Sequence, residues 1–317
     1  MPNIDLSLEK LKEYKGAREI PEDMNIFWEE NIKKLNESEE RIEILSSQFK
    51  SPICNCYDIS FLGIDGIRVY AKMIMPKIIK KRIPAIVEFH GYGGSNGDWS
   101  RRLHYSSLDV AYFIMDCRDQ MGKSGKEYFR TGNLTRGLLE GPEELYYKKV
   151  YLDALRLINI VSNLNEIDEE HILTLGYSQG GALALVSAAL SKKIKSTFAI
   201  YPYLCDFKRV WDLDYGEFAY QELRDFFRWY DPMHKNEEKY FKTLDYIDVK
   251  NFASMIKGDV TVVSGLMDKV CPPSAQFSLY NRIISKKQQL IYPDFGHENI
   301  NGLEDEIYNW VLNTLNK

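Results

Sequence analysis

Apolar and polar positions along the chain follow two rhythms, and the places where one gives way to the other mark the elements. Residues 6–14 and 21–45 carry apolar side chains three and four apart, the spacing of helices with one buried face. Glu22 and Asp23 behind Pro21 suit a helix start. From about residue 57 the period shortens. Residues 67–75 partly alternate, as a half-buried antiparallel strand does. Compact apolar runs at 84–89, 110–115, 171–175, 196–200, 260–263 and 289–292 predict buried strands. Helical stretches at 145–164, 182–191, 273–285 and 303–315 lie between several of them. Strand alternating with helix predicts an α/β fold, with a mostly parallel central sheet covered by helices on both faces. The expectation is one domain over residues 1–317, with 1–50 as an N-terminal helical extension packed on the main body.

Residues 204–256 break the rhythm. They are rich in aromatic and charged side chains, among them Trp211, Tyr215, Phe218, Tyr220, Phe226, Phe227, Trp229 and Tyr230. A segment this long between two strands exceeds an ordinary crossover. It is predicted to be a helical insertion that caps the site or forms an assembly surface; an extra pair of core-packing helices is the plainer reading.

Chemistry enters at Gly176-Tyr177-Ser178-Gln179-Gly180-Gly181. An apolar strand precedes this G-x-S-x-G pentad and an Ala/Leu-rich helix follows it, which is the setting a nucleophile elbow requires. A serine hydroxyl is a weak nucleophile. It needs a base, a group that orients the base, and donors for the oxyanion. Asp268 follows the strand at 260–263 and is the expected acid. His297 follows the strand at 289–292 and is the expected base, chosen from five histidines. Asp294 is a rival acid, but it lies only three residues from His297. The order Ser, Asp, His is that of α/β-hydrolases. His90-Gly91-Tyr92-Gly93-Gly94 follows the strand at 84–89 and resembles the glycine-rich oxyanion segment of that fold. The expected oxyanion donors are the backbone N–H groups of Tyr92 and Gln179. No Walker loop, dinucleotide fingerprint or metal-ligand spacing competes with this set, so no cofactor and no metal is expected.

With these motifs in place, the chain resembles the acetyl xylan esterase/cephalosporin-C deacetylase family, carbohydrate esterase family 7. The resemblance runs over nearly the whole length. It rests on Pro21-Glu22-Asp23-Met24, His90-Gly91-Tyr92, Gly132-Asn133-Leu134-Thr135-Arg136-Gly137, the elbow, Pro202-Tyr203-Leu204-Cys205-Asp206-Phe207, Arg224-Asp225-Phe226-Phe227, Gly265-Leu266-Met267-Asp268 and His297-Glu298. It implies removal of acetyl groups from small acetylated sugars and xylo-oligosaccharides, and from the 3-acetoxymethyl group of cephalosporin C. It also implies a small acyl pocket and a homo-oligomer, a hexamer built from dimers. One position departs from the family pattern: Arg118-Asp119-Gln120 stands where the family has Arg-Gly-Gln. Asp tolerates a left-handed backbone better than most non-glycine residues, so the change bears on local loop geometry and assembly.

Composition narrows the rest. The 317 residues carry a net charge of -5, with 44% hydrophobic and 27% charged side chains. That balance gives no electrostatic reason to expect nucleic acid or an anionic membrane as partner. No basic-then-apolar leader opens the chain, and no apolar run reaches the roughly 20 residues that span a bilayer. Five scattered cysteines, including Cys54 and Cys56, then read as reduced thiols of a cytoplasmic protein. Two rival readings share the fold. A serine peptidase of prolyl-oligopeptidase type would normally add a propeller, which 317 residues do not accommodate. A non-catalytic binding protein of hydrolase fold usually lacks a triad member.

Overall fold

The computed structural model describes residues 4–215 and 218–315. Its strands are β1 (Glu43–Ser46), β2 (Cys54–Leu62), β3 (Arg68–Pro76), β4 (Ile83–Phe89), β5 (Ala111–Met115), β6 (Ile167–Tyr177), β7 (Ile194–Ile200), β8 (Asp259–Gly265) and β9 (Lys287–Tyr292). Its helices are α1 (Leu8–Glu13), α2 (Met24–Glu37), α3 (Tyr146–Ser162), α4 (Gln179–Leu190), α5 (Phe207–Leu213), α6 (Gln221–Tyr230), α7 (Glu237–Leu244), α8 (Pro273–Arg282) and α9 (Leu303–Leu315). The strands form one sheet in the order β1-β2-β3-β5-β4-β6-β7-β8-β9. Pairing is antiparallel from β1 through β3 to β5, and parallel from β5 through β4 to β9.

Side chains alternate across this sheet and so divide the core in two. Ala85, Val87 and Phe89 of β4, with Ala111, Phe113 and Met115 of β5, face the larger cluster beneath α3, α4 and α8. Ile86, Tyr112 and Ile114 face the opposite cluster, closed by Tyr105 and by Leu303, Ile307 and Val311 of α9. Period-2 alternation on a sheet covered on both faces produces this split.

Two elements differ from the sequence expectation. The helix expected through residue 45 stops at Glu37, and β1 pairs with β2, setting Glu43 opposite Ser60. A three-to-four spacing of apolar residues cannot by itself tell a helix from a short strand at a sheet edge. α4 begins at Gln179, three residues before the expected start at 182. Gly180 and Gly181 weaken helix propensity, yet both are buried in its first turn. A Cβ on Gly180 would stand 1.9 Å from the Phe89 carbonyl oxygen. Close approach to β4 therefore requires the glycine that propensity disfavours.

The N-terminal segment is tied to the body. The Tyr14 hydroxyl donates to Asp206 at 2.9 Å, and the Trp28 indole N–H to the Tyr246 carbonyl at 3.0 Å. Residues 204–256 hold α5, α6 and α7 and pack beneath α4 and α8, contributing Phe207, Tyr220, Phe226, Phe241 and Phe252 to the larger core cluster.

Candidate active site

The parallel strands end together at one edge, and that edge gathers the chemical groups. β4 leads into His90, β6 into Ser178, β8 into Asp268 and β9 into His297. Ser178 occupies the turn between β6 and α4 with φ 55° and ψ -117°. Its N–H donates to the Ile200 carbonyl at 2.9 Å, and its carbonyl accepts from Tyr203 N–H at 3.1 Å. These two bonds hold a backbone conformation that costs about 1–3 kcal/mol.

Asp268 is fully buried and accepts from four donors. Oδ1 takes Val270 N–H at 2.9 Å and Cys271 N–H at 2.7 Å; Oδ2 takes Gln276 Nε2 at 3.2 Å and His297 Nδ1 at 2.9 Å. The bond to Nδ1 leaves Nε2 of His297 for chemistry. The ring of Tyr201 lies 4.7 Å from that of His297, and its hydroxyl donates to the Glu298 carbonyl at 2.6 Å. Burial pushes the pKa of the Cys271 thiol up, which keeps it neutral. Among the described residues no Ser178–His297 hydrogen bond is formed; such bonds often close only with substrate bound. Asp268, Cys271 and His297 present ligand atoms within 4.8 Å of one another. As a metal site the set fits poorly: the carboxylate is already saturated with donors and the thiol is held protonated.

Gln179 opens α4 and Tyr92 lies in the loop after β4. Among the described residues neither backbone N–H donates to a protein acceptor. His90 braces this loop from within. Its Nε2 accepts Cys117 N–H at 2.9 Å, which makes Nδ1 the protonated nitrogen and the donor to the Gly91 carbonyl at 2.7 Å. Burial lowers the His90 pKa and keeps the ring neutral.

A cleft of about 1260 Å³ opens over Ser178 and His297. Charged groups on its walls include Glu88, Asp98, Arg101, Arg102 and Glu304. Glu88 and Arg102 form a bidentate pair, both contacts at 2.7 Å. His104 sits in a 3-10 run over Trp99–Leu108 and lines the same cleft. None of the described residues of 204–256 lines it.

Sequence reasoning missed a buried amide pair behind the site. Gln120 Nε2 donates to Gln179 Oε1 at 2.8 Å, Gln179 Nε2 donates back to Gln120 Oε1 at 3.2 Å, and Gly93 N–H donates to Gln120 Oε1 at 2.9 Å. Gln120 thereby joins the turn at Ser178 to the glycine-rich loop after β4. Its place in the Arg118-Asp119-Gln120 tripeptide is the available signal. Asp119 has φ 54°. Its Oδ1 accepts Lys126 N–H at 3.0 Å and Glu127 N–H at 3.3 Å, and its Oδ2 pairs with Arg136 at 3.1 Å. Arg118 forms an ion pair with buried Asp153, both contacts at 2.6 Å.

A mostly parallel sheet with helices on both faces, and with serine, histidine and carboxylate gathered at its carboxyl edge, is the α/β-hydrolase fold. Comparison with known proteins narrows this class. The family model for acetyl xylan esterase (AXE1) matches residues 1–314. The chain is similar to acetyl xylan esterase 1 of a Thermoanaerobacterium species, with 41% identity, TM-score 0.94 and coverage of 98% of this chain and 99% of the other. It is also similar to the acetyl xylan esterase of a Paenibacillus species, with 32% identity, TM-score 0.91 and coverage of 97% and 99%. A curated relative, acetyl esterase Axe7A of Xylanibacter ruminicola, is 27% identical over 304 residues. That match takes in 92% of this chain but spans only 66% of the relative's own length. The chain belongs to the acetyl xylan esterase family and is a carboxylic-ester hydrolase. No helix among the described residues is long and apolar enough to cross a membrane.

Proposed function

We propose that this esterase removes acetyl groups from small acetylated sugars, xylo-oligosaccharides foremost, through an acyl-enzyme on Ser178. The observation that carries the reading is the convergence at one sheet edge of Ser178 on its strained turn and His297 bonded to buried Asp268. His297 Nε2 takes the proton as Ser178 Oγ attacks the acetyl carbonyl. The oxyanion forms against the N–H groups of Tyr92 and Gln179, each worth about 2.7–4 kcal/mol to the transition state. The alcohol leaves with the proton from His297, water attacks the acyl-enzyme by the reverse proton path, and acetate departs. Asp268 holds the imidazole tautomer and stabilises the imidazolium. The scheme needs no metal or cofactor.

Substrate class follows from the cleft. Its polar and charged walls suit a polyhydroxylated alcohol rather than a long apolar chain. The names of the similar enzymes support acetate as the acyl group and xylan as the source. The 3-acetoxymethyl group of cephalosporin C presents the same acyl group on a different alcohol and is included in the proposal. So is a homo-oligomer, a hexamer by family resemblance. A reducing, cytoplasmic setting is in keeping with five cysteines that are all free and buried. The insertion at 204–256 packs under α4 and α8, which favours a bracing role over a roof on this cleft.

The test is an ester panel varying acyl length and alcohol, run on the wild-type protein and on Ser178→Ala. The expected result is preference for acetate and a loss of about 10⁶-fold in kcat on substitution. Wild-type turnover of p-nitrophenyl acetate by Ser178→Ala sinks the mechanism; preference for long acyl chains sinks the substrate class and leaves the triad standing.

A further inference from the structure

Glu222 stands on α6, far in sequence from the groups gathered at the site, yet it ends against the loop that carries Tyr92. It is 8% exposed. Its Oε1 accepts from the Tyr92 hydroxyl and from Gly132 N–H at 2.6 Å, and its Oε2 from Leu134 N–H at 2.7 Å. The Tyr92 hydroxyl in turn accepts Asn133 N–H at 2.9 Å. All three partners of the carboxylate donate, so the arrangement is satisfied by an ionised, acceptor-only Glu222. Burial pushes its pKa up, and these same three bonds oppose that shift.

The backbone that carries the Tyr92 N–H is flexible by composition, with Gly91 before it and Gly93 and Gly94 after it. Something must therefore hold the amide in place, since a misplaced oxyanion donor stabilises little. One tether is Gln120, which takes Gly93 N–H. The other is the Tyr92 side chain, packed against the rings of Tyr203 at 5.7 Å and Phe218 at 6.2 Å and anchored at its hydroxyl.

We infer that Glu222 is a positioning residue for the reaction: through the Tyr92 hydroxyl and the 132–134 backbone it fixes the oxyanion donor, and so couples the 204–256 insertion to catalysis. The inference rests on the oxyanion role given to Tyr92 above. Glu222 touches neither substrate nor reacting atoms, so its signature is a loss confined to the transition state. Glu222→Gln keeps the volume but turns an amide N–H₂ toward one of the donors. Tyr92→Phe keeps the ring and the backbone N–H but cuts the anchor.

The experiment measures kcat and KM on p-nitrophenyl acetate per active site titrated with a fluorophosphonate. It adds the inhibition constant of a trifluoromethyl ketone, whose adduct places an oxyanion in the hole, and the melting temperature. Each variant is expected to lose about tenfold in kcat, short of the 10²–10³ that removal of an oxyanion donor costs. KM should stay within twofold, and ketone affinity should fall by the same factor as kcat. The double variant should be no worse than the poorer single one, because both cut one link. Unchanged kcat per titrated site, or losses that multiply in the double variant, overturn the inference. So does a fall in melting temperature and titratable sites with kcat per site intact, which marks a purely structural role. If Glu222→Gln does not fold, Tyr92→Phe alone decides. Activity that survives Ser178→Ala would instead sink the underlying mechanism, so the two failures are distinguishable.

Discussion

The elbow around Ser178 and the loop from Asp116 to Leu134 are joined by the Gln120–Gln179 amide pair but are held by different means. The elbow is held by backbone. Ser178 bonds to Ile200 and Tyr203 through main-chain groups, and a Cβ on Gly176 would stand 2.2 Å from the carbonyl carbon of Gly180. The loop is held by side chains drawn from far along the chain. Asp116 accepts Asn96 N–H at 2.6 Å and Lys123 N–H at 2.8 Å; Arg118 reaches Asp153, Gln120 reaches Gln179, and Glu222 binds Gly132 and Leu134. A structure made of close backbone contacts fails when any atom is added. One made of distributed hydrogen bonds fails by degrees as each is removed.

The comparison can be broken at its stiff end first. Gly180→Ala places a methyl against the Phe89 carbonyl oxygen at 1.9 Å, inside a packed sheet that cannot yield. The expected cost is about 4 kcal/mol or more, read as a lowered urea midpoint or as loss of soluble protein. A fall under 1 kcal/mol would show that the elbow is softer than its geometry. Gln120→Ala tests the side-chain regime. It removes the acceptor of Gly93 N–H and one half of the amide pair, leaving buried groups that cost about 1–3 kcal/mol. Stability should fall within that range, and kcat by about tenfold with KM little changed; unaltered kcat would break the proposed link between the loop and the oxyanion site. The smallest effect is expected from Asp119→Gly, which restores the family residue. Glycine relieves the cost of φ 54° but gives up the Lys126, Glu127 and Arg136 contacts and adds unfolded-chain entropy. These terms nearly cancel, for a net change of about 1 kcal/mol or less in urea unfolding. A larger loss would mark Asp119 as a strong staple of this loop.

The same division explains what could be read in advance. The elbow, the residues after β8 and β9, and the glycine-rich segment after β4 are local signals, each a short motif behind a predicted strand. They point Ser178, Asp268, His297 and Tyr92 to one sheet edge. The bonds that hold them there join residues 59 apart for Gln120 and Gln179, and 130 apart for Tyr92 and Glu222. No spacing rule reaches that far. In sequence Glu222 is one acid within an aromatic-rich stretch, and β1 falls inside the span whose spacing predicts a helix because edge pairing leaves little trace in a short segment.

The sequence by itself determined the α/β rhythm, the order of the candidate nucleophile, acid and base, and the family, because these rest on periodicity and on residues adjacent along the chain. Tertiary structure alone decided three things. It showed that Asp268 and His297 meet at 2.9 Å. It seated α4 against β4 at Gly180. It brought the Glu222 carboxylate of α6 to Tyr92 in the loop after β4. Each depends on burial and on distances between remote segments, and those exist only once the sheet has set its strands side by side.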